Sequence, residues 1–254
     1  MRVKSTWKTT SNRILPVVAI ILMWQAVAWL NIAPLVVASP YSTAAALYDL
    51  LLNGTLAPDC GLTLMRTLAG CTTACALGIP LGLAMGFSDK FYAAMEIPVE
   101  FFRSIPATAL FPAFMLLFGI GDISKIALAG YAAGLTMTLN SMYGVHVGKE
   151  LRRRAAQTLG IGGFALFHKI VFPEALPHIA AGLRVALSLS LVVVIVSEMF
   201  IGSSNGLGKR IIDTQQVYKT DEMCAAILTA GALGFALNRI ALAAERRLLH
   251  WRGK

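Results

Sequence analysis

The chain has 254 residues, of which 57% are hydrophobic and 14% are charged, and it carries a net charge of +9. Soluble domains usually have about 25% charged residues, so the composition predicts a membrane protein rather than a soluble domain. The positive charge does not indicate a nucleic-acid-binding protein, because the basic residues lie in short polar segments between apolar runs.

Six apolar segments follow one another along the chain, and each is near the length that a helix needs to cross a bilayer. They are residues 14–36, 62–87, 95–119, 123–147, 179–202 and 223–243. Backbone groups cannot remain unpaired in lipid, so runs of this length predict helices. The first run could imitate a signal peptide, but no small-residue cleavage site follows it cleanly, and we predict a retained span. The predicted fold class is all-α, a polytopic membrane protein with about six transmembrane helices.

The distribution of basic residues predicts the orientation. If the N-terminus is inside, fourteen of the 22 Lys and Arg residues lie in inside segments and four lie in outside segments. This bias follows the positive-inside rule, so we predict a bacterial inner-membrane protein with both termini in the cytoplasm.

The first outside segment predicts a short amphipathic helix that lies on the membrane surface. Ser42 and Thr43 are possible helix caps, and Leu47, Leu50 and Leu51 fall on one helical face.

Three glycines in the second span, Gly78, Gly82 and Gly86, recur at a spacing of four residues. A stripe of small residues lets another helix approach closely in a membrane, so we predict a close helix contact here. The alternative is that these glycines are scattered by chance in an apolar helix.

These segments divide the chain into three parts. Residues 1–61 hold a cytoplasmic tail, the first span and the surface helix; residues 62–243 form a transmembrane core; residues 244–254 form a basic cytoplasmic tail. Within the core, residues 148–178 form the longest inside segment.

This inside segment contains "GIGG" at residues 160–163 and then "FALFHKIVF". Glycine is poor in a helix interior and tolerates unusual dihedral angles, so "GIGG" predicts a break or a bend. Pro173 and Pro177 precede the next span and suit the first turn of a helix. We predict two short amphipathic helices joined by a glycine bend beneath the membrane.

The segment resembles the EAA loop of the permease subunits of bacterial ABC importers. That loop has the pattern Glu-Ala-Ala, three residues, Gly, nine residues, Ile-x-Leu-Pro. Ala155, Ala156, Gly160, Ile170 and Pro173 stand at the required offsets.

Two positions depart from the pattern: Arg154 replaces the usual acid, and Phe172 replaces the usual leucine. The first departure puts in question any contact that the acid would make with a partner. The resemblance implies that an ATPase-coupling surface is formed by Arg154, Ala155, Ala156, Leu159, Gly160, Phe164, Ile170 and Pro173.

Other stretches are similar to the branch of this family that imports nitrate, sulfonates, taurine or bicarbonate. They are "FFRSIPATALFPAFMLLFGIGDISKI" (101–126), "GLRVALSLSLVVVIVSEMFIGSSNGLG" (182–208) and "ERRLLHW" (245–251). The resemblance implies the type I importer (MetI-like) permease fold. It also implies four kinds of partner: a second permease copy, cytoplasmic ABC ATPase subunits, a periplasmic or lipid-anchored solute-binding protein, and membrane lipid.

The chain contains no GxxxxGK[ST] phosphate-binding loop. We therefore expect no enzymatic activity and no bound cofactor or metal in this chain, with ATP and Mg²⁺ held by the partner ATPase.

Ionisable residues inside the spans are costly in lipid and are candidates for function. Arg66, Arg103, Arg184, Glu198 and Arg239 qualify. Arg66, Arg184 and Arg239 lie close enough to a span end to reach lipid headgroups instead. Glu198 could pair with an arginine from another helix rather than meet solute.

An anionic solute would need hydrogen-bond donors to replace its water. Arg103 and Ser104 are followed by Pro106, which removes a backbone hydrogen bond where helices can bend around a cavity. The predicted translocation-path residues are Arg103, Ser104, Ser188, Ser197 and Glu198. The serines could equally bond back to their own helix.

Other functions remain open at this point. A permease for a pyrimidine-type thiamine precursor belongs to the same branch, whereas an ion-driven secondary transporter would tend to show internal repeats, and we find no convincing one. A membrane enzyme would need a catalytic constellation, but the four histidines are scattered. Cys71 and Cys75 are four residues apart in an apolar run and predict small packing residues.

Overall fold

The computed structural model describes residues 6–30, 37–146, 151, 155–156, 158 and 160–249. These residues form helices and loops, without a strand among them. The helices are α1 (Thr6–Trp29), α2 (Pro40–Leu52), α3 (Leu56–Phe87), α4 (Asp89–Ser104), α5 (Phe111–Phe118), α6 (Asp122–His146), α7 (Phe172–Phe200), α8 (Leu207–Gln216) and α9 (Thr220–Leu248). Shorter helical pieces lie at Ala107–Leu110, Gly163–Leu166 and Phe167–Val171. The prediction of an all-α fold is confirmed.

Three helical stretches of the described chain are long and apolar enough to cross a membrane: α3, the continuous helix Phe167–Phe200, and α9. A fourth is present if α4 and α5 count as one bent span. The apolar part of α1, Leu15–Trp29, is shorter.

Helix α6 has the length of a span, but its hydropathy is lower than that of α3, α7 and α9. Its low hydropathy fits its position, because it packs against protein on both sides. It lies between α3 and α7, and its small and polar residues are buried against these two helices. A helix that faces protein does not need an apolar surface all round. The fourth predicted span is thus the centre of the bundle.

The predicted glycine stripe is the contact between α3 and α6. A Cβ atom added at Gly78 would lie 2.6 Å from the carbonyl oxygen of Gly134, and one added at Gly82 would lie 2.1 Å from that of Thr138. At Gly86 the nearest atom would be the Cβ of Val145, at 2.5 Å. The two backbones therefore approach more closely than any larger residue would permit, as small-residue stripes allow.

The predicted span 95–119 is divided by a bend of 85° between α4 and the helical stretch Ala107–Phe118, near the prolines where the sequence predicts a bend. Pro106 stands at this bend, where it cannot donate a backbone hydrogen bond. Pro112 lies in the first turn of α5, a position that suits proline.

The short helix predicted after the first span is present as α2, but its cap is Ser39 rather than Ser42 or Thr43. The Ser39 hydroxyl accepts a hydrogen bond from the backbone N–H of Ser42, and the Ser42 hydroxyl accepts one from the backbone N–H of Ser39. This reciprocal pair is a capping box that satisfies two backbone donors.

Candidate functional site

The inside segment ends its first helical stretch at a glycine, as the sequence predicts. The N–H of Ile161 donates to the carbonyl of Ala156 at 2.9 Å, and Gly160 between them has φ +66°. This six-to-one hydrogen bond with a left-handed residue is a Schellman ending. Ala156 is buried and Ala155 is exposed. Arg154, Leu159 and the side chain of Phe164 lie outside the described residues.

A second helix starts at Gly163 and runs without a break into α7 through a π turn at Phe167–Val171. The N–H of Phe172 donates to the carbonyl of Phe167, five residues earlier. Pro173 follows at once, and a proline in a regular α-helix would clash with the carbonyl four residues before it. A wider turn relieves such a clash, so we attribute the π turn to Pro173.

This segment is packed against the end of the helix bundle that contains Phe87 and Gly144. The Phe167 ring meets the Phe87 ring edge-on, with 5.4 Å between centroids. Just beyond the π turn, a Cβ added at Gly144 of α6 would lie 3.1 Å from the carbonyl oxygen of Ala175. Because helix, π turn and α7 are continuous and tightly packed, a displacement of the segment would reach α7 and α6 directly.

At the opposite end of the bundle, five charged residues form what we call the ionic cluster: Asp59, Arg66, Asp122, Glu198 and Arg210. Arg66 is buried and bridges two acids, with Nη1 2.6 Å from Glu198 and Nη2 2.7 Å from Asp122. Glu198 is fully buried, whereas Asp122 is nearly half exposed. The cluster therefore ties α3, α6 and α7 together at one end.

The buried carboxylate of Glu198 is fully hydrogen-bonded. Besides Arg66, it accepts hydrogen bonds from the hydroxyl of Thr63 at 2.9 Å and from the N–H of Gly208 at 2.9 Å. The Thr63 hydroxyl in turn accepts from the N–H of Leu207 at 2.9 Å. Pairing and hydrogen bonding of this kind are what a buried charge requires, since its desolvation is costly.

Two glycines beside the cluster leave the room that Glu198 occupies. A Cβ at Gly206, where φ is +140°, would lie 2.5 Å from the Glu198 carboxyl carbon. A Cβ at Gly208 would lie 2.0 Å from the carbonyl oxygen of Ile195. Glycine is therefore required at both positions, and it fixes the start of α8 against α7.

The third ion pair of the cluster, between Asp59 and Arg210, holds α8 to α3. Asp59 accepts from the N–H of Gly206 at 2.8 Å and from Nε of Arg210 at 2.6 Å. Arg210 also donates to the carbonyl of Thr55 at 2.9 Å. The loop between α7 and α8 is thus held to α3 on both sides.

The residues predicted for the translocation path have mostly local partners. Arg103 Nε donates to Glu100 at 2.9 Å, and the Ser104 hydroxyl donates to the carbonyl of Glu100 at 2.9 Å. The Ser188 and Ser197 hydroxyls bond back to their own helix, at 3.2 and 2.7 Å. Glu198 pairs with Arg66, which is the alternative that the sequence left open. A path role for these five residues stays a prediction.

An apolar cavity of about 340 Å³ lies where α5 meets the end of α7. Its lining residues are Thr108, Ala109, Phe111, Pro112, Met115, Phe200 and Ile201. The expectation of a bend beside a cavity at these prolines agrees with this geometry, although Arg103 and Ser104 are not among the lining residues.

Sequence reasoning missed the ionic cluster as a unit. Asp59, Thr63 and Arg66 stand at spacings of four and three residues, which places them on one face of α3. This periodicity was the available signal. The loop that contacts this face could not be predicted, because Gly206 and Gly208 contribute backbone N–H groups and the absence of a side chain, neither of which gives a sequence pattern.

Comparison with known proteins decides the family. The sequence profile described as "Binding-protein-dependent transport system inner membrane component" matches residues 78–250. The chain belongs to this family. It is an inner-membrane permease component of an ABC transport system, and the expectation from the EAA-type segment is confirmed at this level.

Two curated relatives of the permease are named for sulfonate compounds. The putative aliphatic sulfonates transport permease of Bacillus subtilis is 28% identical over 240 residues, which cover 94% of this chain and 86% of the relative. The taurine transport system permease of Escherichia coli is 29% identical over 262 residues, which cover all of this chain and 95% of the relative.

The permease also has the fold of a solved importer. An inward-facing structure of the MetNI methionine ABC transporter matches with a TM-score of 0.65 at 19% identity, covering 76% of this chain and 95% of the other. The predicted MetI-like fold is confirmed.

Proposed function

We propose that this permease forms the translocation path for a small organic sulfonate, of the aliphatic sulfonate or taurine type, in an ATP-driven importer. Its inside segment couples the path to a separate ATPase subunit that binds and hydrolyses ATP with Mg²⁺. A solute-binding protein delivers the sulfonate from outside, and two permease copies pair around the path. Both termini lie in the cytoplasm.

The observation that carries the coupling role is the continuity of the helix from Gly163 through the π turn to Phe200. The Schellman ending at Gly160 holds the preceding helical stretch at a fixed angle to this helix. If the ATPase moves the inside segment, the continuous helix would therefore rotate α7, and α6, which packs on α7, would move with it. Alternating access by small rotations of packed helices is a known form of transport motion.

The choice of a sulfonate rests on two relatives of the chain, which are named for aliphatic sulfonates and taurine; another relative is named for nitrate import. Nitrate and bicarbonate were part of the wider expectation and serve as competitors in the test below. Arg103, with Ser104 beside it, remains the proposed contact for the anionic head, since an anion needs charged and polar donors in place of water.

The coupling role is tested by Gly160→Ala, with Gly162→Ala as a matched control. Gly160 has φ +66° and open space around its missing Cβ, so alanine costs only the left-handed strain, about 1–2 kcal/mol. Gly162 also has open space but lacks a left-handed φ. We expect Gly160→Ala to lower sulfonate uptake in intact cells, Gly160→Asn to lower it less, and Gly162→Ala to preserve it.

Both variants must be present in the membrane at wild-type amounts for the comparison to hold. Equal uptake by the Gly160→Ala and Gly162→Ala cells would contradict the coupling role of this ending. The partners are tested by purifying the wild-type chain from its native membrane and identifying the co-purifying subunits by mass. Recovery of the chain alone, without an ATPase, would contradict the proposed importer.

The solute is tested by growth of cells that lack this chain. We expect them to fail on taurine or an alkanesulfonate as the sole sulfur source and to grow normally on sulfate. Labelled taurine uptake by wild-type cells should fall with excess alkanesulfonate and stay constant with excess nitrate or bicarbonate. Normal growth of the deletion cells on every sulfonate, with loss of nitrate uptake, would replace the proposed solute.

A further inference from the structure

Helix α9 carries an exposed stripe that is apolar over its first part and cationic near its end. Leu228, Ala232 and Phe235 are exposed and are followed on the same face by Arg239 and Arg246, at spacings of four, three, four and seven residues. The most apolar part of α9 is 17% buried, against 39% for α3 and for the helix that includes α7. Most of this helix therefore faces something other than its own chain.

Arg239 is placed unusually deep for an exposed cation. It precedes the end of α9 by nine residues, which corresponds to about 13 Å at 1.5 Å per residue. Its guanidinium carbon lies 5.9 Å from the centre of the Phe235 ring. Arg239 forms no ion pair with the acids that the structure describes. A cation at the edge of the hydrocarbon without a counter-charge is costly, so an anion must reach it.

The acid next to Arg246 does not supply that charge. Glu245 lies on another side of α9 and pairs with Arg184 of α7, at 3.6 Å. Arg246 is exposed on the same face as Arg239, two helical turns nearer the end. The two arginines thus present two positive charges on the same exposed face of α9, without an acid of their own stripe between them.

We propose that Arg239 and Arg246 bind the headgroup phosphate of one anionic phospholipid, while an acyl chain lies along Leu228, Ala232 and Phe235. The stripe matches the two parts of a lipid, with cations at the interface for the headgroup and apolar side chains towards the membrane centre for the acyl chain. In the proposed orientation this end of α9 faces the cytoplasm, where anionic lipid attracts basic residues. The inference rests on that membrane placement.

A second copy of the chain fits this face less well than a lipid. In a symmetric pair the same surface meets itself, so Arg239 and Arg246 would face their own counterparts. Four arginines would then share one interface without acids from the stripe, and like charges in a low-dielectric region repel strongly.

The experiment is native mass spectrometry of the full chain, released from micelles that contain either phosphatidylglycerol or phosphatidylcholine. We expect wild type to retain phosphatidylglycerol preferentially and Arg239→Gln/Arg246→Gln to bind it roughly 30-fold more weakly, from a contribution of about fivefold for each charge. Lys209→Gln/Lys219→Gln is the control, because it removes two cations at the other end of the bundle, of which Lys209 is half-buried and Lys219 is exposed. The control should retain phosphatidylglycerol as wild type does.

Equal retention of phosphatidylglycerol by the arginine variant and the control would overturn the site. So would equal retention of the two lipids by wild type. A loss of dimer in the arginine variant without a change in lipid retention would assign the face to a second copy instead. Arg239→Gln alone is a milder variant if the double substitution lowers the yield. Since the assay measures lipid retention and not uptake, its failure is distinguishable from a failure of the proposed transport function.

Discussion

Gly82 is the tightest of the three stripe positions at the contact between α3 and α6. The Cβ of an alanine there would lie 2.1 Å from the carbonyl oxygen of Thr138 and 2.7 Å from the Cβ of Ser141. An ordinary carbon–oxygen contact is about 3.3 Å, so the two helices would have to separate by about 1 Å. Because the obstacle is backbone, a side-chain rotation cannot relieve it.

Separation of packed helices by this distance forfeits a large part of their van der Waals contact, and overpacking costs about 1–3 kcal/mol. Alanine regains up to about 1 kcal/mol through its higher helix propensity. We expect the overpacking cost of Gly82→Ala to be near the upper end of this range, so that the free energy of unfolding falls by about 2 kcal/mol in total. In a chain of this size that corresponds to a Tm lower by about 4–8 °C.

The assay is thermal unfolding of the purified permease in detergent, followed by intrinsic fluorescence. Gly61→Ala is the matched control on the same helix, because a Cβ there has no neighbour within 4 Å. Gly134→Ala is a second control, with its nearest contact at an ordinary 3.7 Å from Ala74. If Gly82→Ala melts at the same temperature as Gly61→Ala, the argument from backbone approach is refuted.

Three further predictions concern the ionic cluster, the N-terminal cap of α2 and the π turn. Glu198→Gln removes the fully buried charge that faces Arg66 and should lower the free energy of unfolding by about 3 kcal/mol. Asp122→Asn changes a half-exposed acid and should lower the Tm by clearly less. Equal decreases in Tm for the two variants would contradict the burial argument. Ser39→Ala removes the cap of α2 and should cost about 1 kcal/mol, seen as faster amide exchange in its first turn with unchanged exchange in α3. Deletion of the exposed Lys169 from the π turn should rotate the preceding segment about the helix axis by about 100° relative to α7. We expect this rotation to reduce sulfonate uptake without lowering the amount of permease in the membrane. Normal uptake would show that the rotational position of the segment is unimportant for coupling.

The sequence predicted the features that rest on local chemistry. Gly160 and Gly163 have the left-handed dihedrals that "GIGG" suggested, and the stripe of Gly78, Gly82 and Gly86 is a helix contact, because both depend on glycine having no side chain. Helix α2 also followed from its local pattern, although its cap lies one residue before Pro40 rather than after it.

Features that depend on distant partners could not be predicted in detail. The prolines indicate a bend near Pro106, but hydropathy carries no information about its angle of 85°. The partner of Glu198 is 132 positions away in the sequence. An arginine partner was foreseeable from the cost of a buried charge, whereas its identity as Arg66 needed the packing of α3 against α7.

The protein-facing character of α6 has a consequence for how the chain enters the membrane. A helix of lower hydropathy, with Asp122 and Lys125 in its first turns, gains little by leaving an aqueous channel for bare lipid. It gains more by docking on α3, which is synthesised earlier and already offers the glycine stripe. The order of elements in the sequence thus supplies α6 with a receiving surface at the time of its synthesis. A substitution that narrows this surface would therefore slow the insertion of α6 during biogenesis, in addition to lowering the stability of the folded permease.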